Sequence, residues 1–343
     1  MRNKLIRDST FPFSEFSTMV TPSLAMAVIA FICTGSRVSK PTHLTRLFST
    51  VPYRESTLIS STKSNTVKKI QALLNKRKKR LEQRETVVEG PRMVVDLLKQ
   101  PQTHHLVRSI FIASDKWEQY YPEILRAVGE DESRLPLTLP VTPPVFAACS
   151  DTITPQGILA ITEIPIFSLE RRDAPQNPLY LVLDGVSDPG NLGTLLRSSV
   201  ATGVAGVLLL PGSCDPWAPK AIRSAMGTTF QIPVETFENW DECREKLVHL
   251  GCNNFWAATM LEDGVGRSHY EVNWLSGPNA LIIGSEGNGL TKPIRDDLAV
   301  TSPRLKSVYV PMKAGIESLN AAVCGSVILF EYMRQGETNV STK

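Results

Sequence analysis

Three short stretches carry residue types able to do chemistry, and all lie in the C-terminal half of the chain. They are Asp184–Arg197, Leu281–Leu290 and Val310–Asn320. The first offers Asn191 and Arg197, the second Glu286, and the third Ser318 and Asn320. None contains Cys or His, which sets aside thiol and imidazole nucleophiles and the common metal-ligand sets. Each follows an apolar run and contains glycine, so the backbone itself can come close to a ligand. In Gly284-Ser-Glu-Gly-Asn-Gly289 the glycine spacing is G-x-x-G-x-G, not the dinucleotide fingerprint G-x-G-x-x-G, and no G-K-[ST] follows. A nicotinamide oxidoreductase or a nucleoside triphosphate site is therefore poorly supported. Taken one at a time, these residues have ordinary readings. Asn191 and Ser318 suit helix N-caps, Glu286 suits a cap on the helix that follows, and Arg197 suits a surface charge.

The elements that must position these residues are legible as hydrophobic periods. Strands are expected at Leu179–Asp184, Gly206–Leu210, Phe255–Thr259, Ala280–Gly284 and Val308–Val310. These runs are short, continuous and apolar, as in a parallel sheet buried on both faces. Helices are expected at Leu192–Thr202, Pro219–Met226, Trp240–Leu250, Pro293–Leu298 and Leu319–Gln335, with Ser318 capping the last. Upstream, strands at Glu85–Glu89, Val107–Ala113, Leu137–Pro140 and Gly157–Thr162 alternate with helices at Met93–Lys99, Trp117–Val128 and Pro143–Cys149. That alternation describes a smaller α/β domain over residues 63–166. Residues 167–178, with two prolines and several charges, read as the linker to a second domain over 179–336, and 337–343 as a disordered tail.

The net charge of +3 says little, but its distribution says more. An amphipathic helix is expected over Asn65–Arg80, and it carries Lys68, Lys69, Lys76, Arg77, Lys78, Lys79 and Arg80. Such a local field attracts a phosphate backbone through counterion release, so these residues are the candidate RNA contacts. The bland alternative is a solvated face or an import-type cluster. Residues 1–55 are rich in Ser, Thr and scattered basic residues, with Asp8, Glu15 and Glu55 the only acids. That is the composition of a transit peptide, and Arg46-Leu-Phe-Ser49 resembles a mitochondrial processing site. Mitochondrion is the first expectation and plastid the second. The apolar run Leu24–Cys33 is too short to span a bilayer, so no membrane role is expected. The six cysteines lack C-x-x-C spacing and read as reduced, mostly buried thiols, with no metal site.

Together and in this order, the three stretches resemble the motifs of the SpoU branch of the SPOUT RNA 2′-O-methyltransferases. Asn191 and Arg197 match the first motif, Glu286 the second, and Ser318 and Asn320 the third. The first domain resembles, more loosely, that family's ribosomal-protein-like RNA-binding extension, through Asn65-Thr-Val-Lys-Lys-Ile70 and Val88-Glu-Gly-Pro-Arg92. The resemblance implies an α/β fold whose parallel-sheet methyltransferase domain is tied in a trefoil knot, preceded by a small α/β RNA-binding domain. It implies S-adenosylmethionine bound by backbone groups around Gly284, Val310 and Leu319, and a homodimer with the site near the subunit contact. It implies 2′-O-ribose methylation of RNA, with organellar large-subunit rRNA expected before tRNA. It implies Arg197 as the base for the 2′-OH, aided by a nearby phosphate, with phosphate clamping and electrostatic positioning as the alternative role because a guanidinium seldom gives up its proton; Asn191, Glu286, Ser318 and Asn320 would hold Arg197, the ribose and the cofactor in register. The competing expectation is a non-catalytic RNA-binding assembly factor of the same fold. A degenerate relative would lose Arg197, Glu286 or Asn320, and this chain keeps them all.

Overall fold

The computed structural model describes residues 57–170, 175–260, 266–300, 305–315 and 318–340, with side chains as far as 337. The expected leader, residues 1–55, lies outside the described residues.

The first part of the described chain forms helices α1 (Asn65–Asn75), α2 (Arg77–Gln83), α3 (Pro91–Lys99), α4 (Pro101–His104), α5 (Trp117–Ala127) and α6 (Pro143–Ala148) around a four-stranded sheet. The strands are β1 (Glu85–Glu89), β2 (Val107–Ala113), β3 (Leu137–Val141) and β4 (Ile158–Glu163), in the order β1-β4-β2-β3. β4 runs antiparallel to β1 and β2, while β2 and β3 are parallel. Strand alternation splits the core in two. Val87, Phe111 and Leu159 face α1 and α6, whereas Val88, Ile110 and Ile158 face α3 and α5.

The second part holds β5 (Leu179–Asp184), β6 (Gly206–Leu209), β7 (Val234–Thr236), β8 (Asn254–Ala258), β9 (Arg267–Ser268), β10 (Asn279–Gly284) and β11 (Leu305–Tyr309). Their order is β7-β6-β5-β10-β8-β11-β9, and every pairing is parallel. Helices α7 (Pro189–Ala201), α8 (Pro219–Ser224) and α11 (Ala321–Val340) cover one face, and α9 (Trp240–His249) and α10 (Lys292–Ala299) the other. Leu179, Leu181 and Leu183 of β5 enter the first core, and Tyr180 and Val182 the second. Each such fully buried side chain contributes about 1.5–3 kcal/mol of transfer free energy, which is why these strands read as unbroken apolar runs.

Several expectations are corrected. The basic helix is broken at Lys76, which takes an extended conformation (φ −125°, ψ 105°) between α1 and α2. The last helix starts at Ala321 and reaches Val340, so the tail expected from residue 337 begins inside it. Edge strands β7 and β9 and the short α4, which takes in His104, have no counterpart in the sequence reading. The 167–178 segment is no free tether where it is described. Leu169 is 3% exposed and packs in the second core, where a Cβ on Gly206 would lie 2.3 Å from it. The cysteines among the described residues are free, and burial pushes the thiols of Cys149, Cys243 and Cys252 up. Among the described residues no helix is long and apolar enough to cross a membrane, and no cluster of His, Cys, Asp or Glu suits a metal ion.

Candidate functional site

Parallel pairing of β5 with β10 sets Asp184 beside Gly284 at the strand ends, where open α/β sheets bind ligands. Asp184 is 1% exposed and accepts a hydrogen bond from the Thr291 amide at 2.6 Å. Burial raises its pKa, and the Thr291 bonds oppose that shift. This carboxylate pins the far end of the turn that follows β10. The near end is closed by reciprocal bonds between Ser285 and Gly289, both 2.9 Å, with Gly289 at φ +62°. The turn folds back so closely that a Cβ on Gly284 would lie 2.6 Å from the Gly289 carbonyl carbon and oxygen. Only glycine fits there, and Glu286 is left at the exposed tip.

Three polar side chains from three separate segments meet at that tip. Asn191 Nδ2 donates to Glu286 Oε2 at 2.9 Å. Asn320 Nδ2 donates to the same oxygen at 3.1 Å and to Asn191 Oδ1 at 3.0 Å. Asn320 Oδ1 also accepts from the amides of Ala322 (3.0 Å) and Val323 (3.2 Å), so Asn320, not Ser318, caps α11. Asp188, not Asn191, caps α7, accepting from the Asn191 amide at 2.8 Å. The ordinary readings of Asn191, Glu286 and Ser318 as caps therefore do not hold. Asn191 and Glu286 spend their side chains on each other, and Ser318 precedes the helix. The α7–α11 contact that brings the two asparagines together is close. Ser198 and Ser326 share a hydrogen bond of 2.8 Å, and a Cβ on Gly325 would sit 2.5 Å from Leu195.

Beneath this cluster lies a cavity of about 330 Å³ between the ends of β8, β10 and β11. Ile283, Val308, Leu319 and Cys324 give it apolar walls, and Gly284, Glu286, Val310 and Ser318 line it as well. Among the described residues the backbone groups of Val310 and Leu319 take part in no backbone hydrogen bond. Free backbone donors and acceptors against apolar walls suit a small, flat, heteroatom-rich ligand. The cavity thus gathers Gly284, Val310 and Leu319, the three residues expected to hold the cofactor.

Arg197 stands apart. It is exposed on α7 and makes no hydrogen bond or ion pair among the described residues. Six residues along a helix place it roughly 120° round the axis from Asn191. It lines no part of the cavity described above. Among the described residues the structure brings together Asn191, Glu286 and Asn320, sets Ser318 in the cavity wall, and leaves Arg197 apart from them.

The basic segment divides similarly. Lys68, Lys76, Arg77 and Lys78 are exposed. Lys69 pairs with Glu85 at 2.5 Å and Lys79 with Glu82 at 2.7 Å. Arg80 is the correction. Only 5% exposed, it binds Asp215 of the second part through Nε (3.0 Å) and Nη2 (2.6 Å), and Nη1 donates to the carbonyl of Leu73 at 2.6 Å. It is a buried structural arginine and is not presented to RNA. The role of Asp184 was also missed by sequence reasoning, although an acid closing an otherwise apolar strand was a visible signal.

Comparison with known proteins agrees with this geometry. Residues 178–330 match the SpoU rRNA Methylase family, and residues 64–160 match the MRM3-like substrate binding domain. The 23S rRNA (guanosine(2553)-2′-O)-methyltransferase RlmP of Bacillus subtilis is 30% identical over 279 residues, covering 79% of this chain and 97% of that protein. The mitochondrial rRNA methyltransferase 3 of Xenopus laevis is 28% identical over 315 residues, 76% of this chain and 71% of its own. Alignments with the zebrafish 3A and mouse proteins span about half of those relatives' length, 51% and 54%. Among solved structures, the AdoMet-bound rRNA methyltransferase from Sinorhizobium meliloti superposes with a TM-score of 0.65 at 26% identity, covering 81% of this chain and 97% of that one. With the matched segments, the strand-end cavity and the three-way polar cluster in agreement, this chain belongs to the SpoU rRNA methylase family.

Proposed function

We propose that this protein methylates a ribose 2′-OH of RNA with S-adenosylmethionine as donor, and that its substrate is organellar large-subunit rRNA. The observation that carries the reading is the meeting of Asn191, Glu286 and Asn320 at the mouth of a cavity with free backbone groups. The donor would be held by the backbone around Gly284, Val310 and Leu319, and it supplies an electrophilic methyl group on a sulfonium. The protein's own contribution is alignment and charge placement. Asn191, Glu286 and Asn320 fix the mouth of the cavity, and Ser318 in its wall adds a hydroxyl there. Arg197 clamps an RNA phosphate and orients the sugar. It acts by position and charge, through a planar set of N–H donors suited to phosphate.

The same reading includes residues 63–166 as the RNA-binding domain, with Lys68, Lys76, Arg77 and Lys78 meeting phosphates. Lys69 and Lys79, and more loosely Lys78 at 3.9 Å from Glu82, have acidic partners that RNA would have to displace. It includes a trefoil knot, in which the last helix threads a loop, and a homodimer. Val323, Val327 and Phe330 form an exposed apolar stripe on α11, with Val323 and Phe330 each 50% exposed, and this supports a second copy docking beside the site. A mitochondrial location is supported by the names of the vertebrate relatives and by the composition of residues 1–55.

The test is direct. Purified protein, labelled S-adenosylmethionine and an unmodified organellar large-subunit rRNA transcript should yield 2′-O-methyl groups mapped to ribose. Arg197→Ala should abolish transfer while calorimetric binding of S-adenosylmethionine survives. Near-wild-type turnover in Arg197→Ala would remove the role given to that residue. Absence of both cofactor binding and transfer in the wild type would leave a non-catalytic RNA-binding factor.

A further inference from the structure

One segment of the second part, the β6–α8 connection with α8 itself, touches both the basic helices and the backbone that leads into Asn191. Asp215 accepts the buried Arg80 guanidinium with one carboxylate oxygen and the Trp217 amide, at 3.0 Å, with the other. The Trp217 carbonyl accepts the buried Thr86 hydroxyl of β1 at 2.7 Å, and the Trp217 ring packs in the core of the first part beside Ile222 and Phe230. In the other direction, the Cys214 amide donates to the Val186 carbonyl at 2.9 Å, and the Ser213 hydroxyl to the Leu183 carbonyl at 2.9 Å. Those carbonyls belong to β5 and the loop that leads into α7 and Asn191. At the far end of α8, Arg223 binds Asp151 of the first part through two bonds, 2.5 and 3.0 Å. The next residue, Ser224, donates to the Gly190 carbonyl at 3.1 Å, one residue before Asn191. A Cβ on Gly193 would lie 2.4 Å from Ser224, so α7 and α8 pack too closely there for any side chain.

We propose that Asp215 and Arg223 are positioning residues, forming a two-point latch that fixes the RNA-binding part rigidly against the turn that carries Asn191. The inference rests on the proposed function. It assigns the latch neither RNA affinity nor cofactor affinity. Its effect is on register, because RNA held by Lys76–Lys78 then meets the site at one fixed distance. A tethered domain would bind RNA as tightly and present many nucleotides. A buried ion pair fits this use, because it contributes little net stability and strongly disfavours arrangements that leave either charge unpaired.

The test compares wild type, Asp215→Ala and Arg223→Ala for three properties. These are calorimetric binding of S-adenosylmethionine, filter binding of an organellar large-subunit rRNA transcript, and kcat for methyl transfer to that transcript. In Asp215→Ala both affinities should stay within about twofold, while kcat falls roughly 100-fold, the scale of an ångström-sized misplacement. Proteolysis within residues 167–178 should accelerate. Arg223→Ala, whose pair is partly exposed, should show the same pattern with a smaller loss, and it serves if Asp215→Ala does not fold. Asp215→Glu should recover most of kcat. Unchanged kcat and unchanged protease resistance in a folded variant would overturn the latch, as would a turnover loss that tracks RNA affinity. A wild type that methylates nothing defeats the functional reading instead, and the proteolysis comparison still scores the latch.

Discussion

Asn320 holds two jobs in one side chain, and substitution can separate them. Its Oδ1 caps α11 through Ala322 and Val323, while its Nδ2 ties Asn191 to Glu286. Asn320→Ala removes both. Loss of the cap costs about 1 kcal/mol, a fall in Tm of roughly 2–4 °C for a domain of this size. The Nδ2 bonds go to one neutral and one charged acceptor. Being partly exposed, they are worth the low end of the usual range, about 2 kcal/mol together. If that alignment is felt in the transition state, kcat/KM falls roughly 30-fold. Asn320→Asp is the discriminating variant. Aspartate caps as well as asparagine and favours a helix N-terminus, so the stability loss should be smaller than for alanine. It brings a second carboxylate oxygen to about the 3.1 Å now spanned by the hydrogen bond to Glu286, so the cluster is repelled and activity falls at least as far as in Asn320→Ala. Thermal unfolding and initial rates of methyl transfer, measured on the same preparations, decide it. Equal activity of Asn320→Asp and wild type would refute the reasoning, as would activity losses that merely follow Tm across the two variants.

Neutralising Lys76, Arg77 and Lys78 together should weaken RNA binding and lower the slope of log K against log salt by about 2–3, read from filter binding at several salt concentrations. Gly284→Ala must displace the Gly289 carbonyl, so calorimetry should show at least a tenfold loss of S-adenosylmethionine affinity, roughly. Asp184 has a folded-state pKa raised above its unfolded value of 3.8, so its stabilising contribution is full below that value and is lost as pH rises through the folded pKa. Asp184→Asn should remove this fall, leave stability at neutral pH no lower than wild type, and keep the Thr291 bond through its amide oxygen. A denaturant series across the acid range checks it.

Most of the sheet was legible because strands such as Leu179–Asp184 and Asn279–Gly284 are buried on both faces and their sequences are almost wholly apolar. β7 and β9 escaped notice because they are short edge strands carrying polar residues, Val234-Glu-Thr236 and Arg267-Ser268. The cluster residues were legible as a set only through motif resemblance, since each alone looks like a cap. The caps were misplaced for a physical reason. Pro189-Gly190 reads as a tight turn, which hid the N-cap signature of Asp188 before Pro189, and Leu319, a good helix former, drew the expected start of α11 to a position before Asn320. The break at Lys76 and the burial of Arg80 were not legible locally. Arg80 is held by Asp215, far away in sequence, and a run of basic residues gives no sign that one of them turns inward.

The triangle of Asn191, Glu286 and Asn320 joins segments that emerge during synthesis long after one another, and the last of them also starts the final helix. The mouth of the site therefore has no partial form. A chain interrupted before residue 320 can own the whole β5–β10 pair and the first asparagine, yet it lacks the amide that draws the corners together.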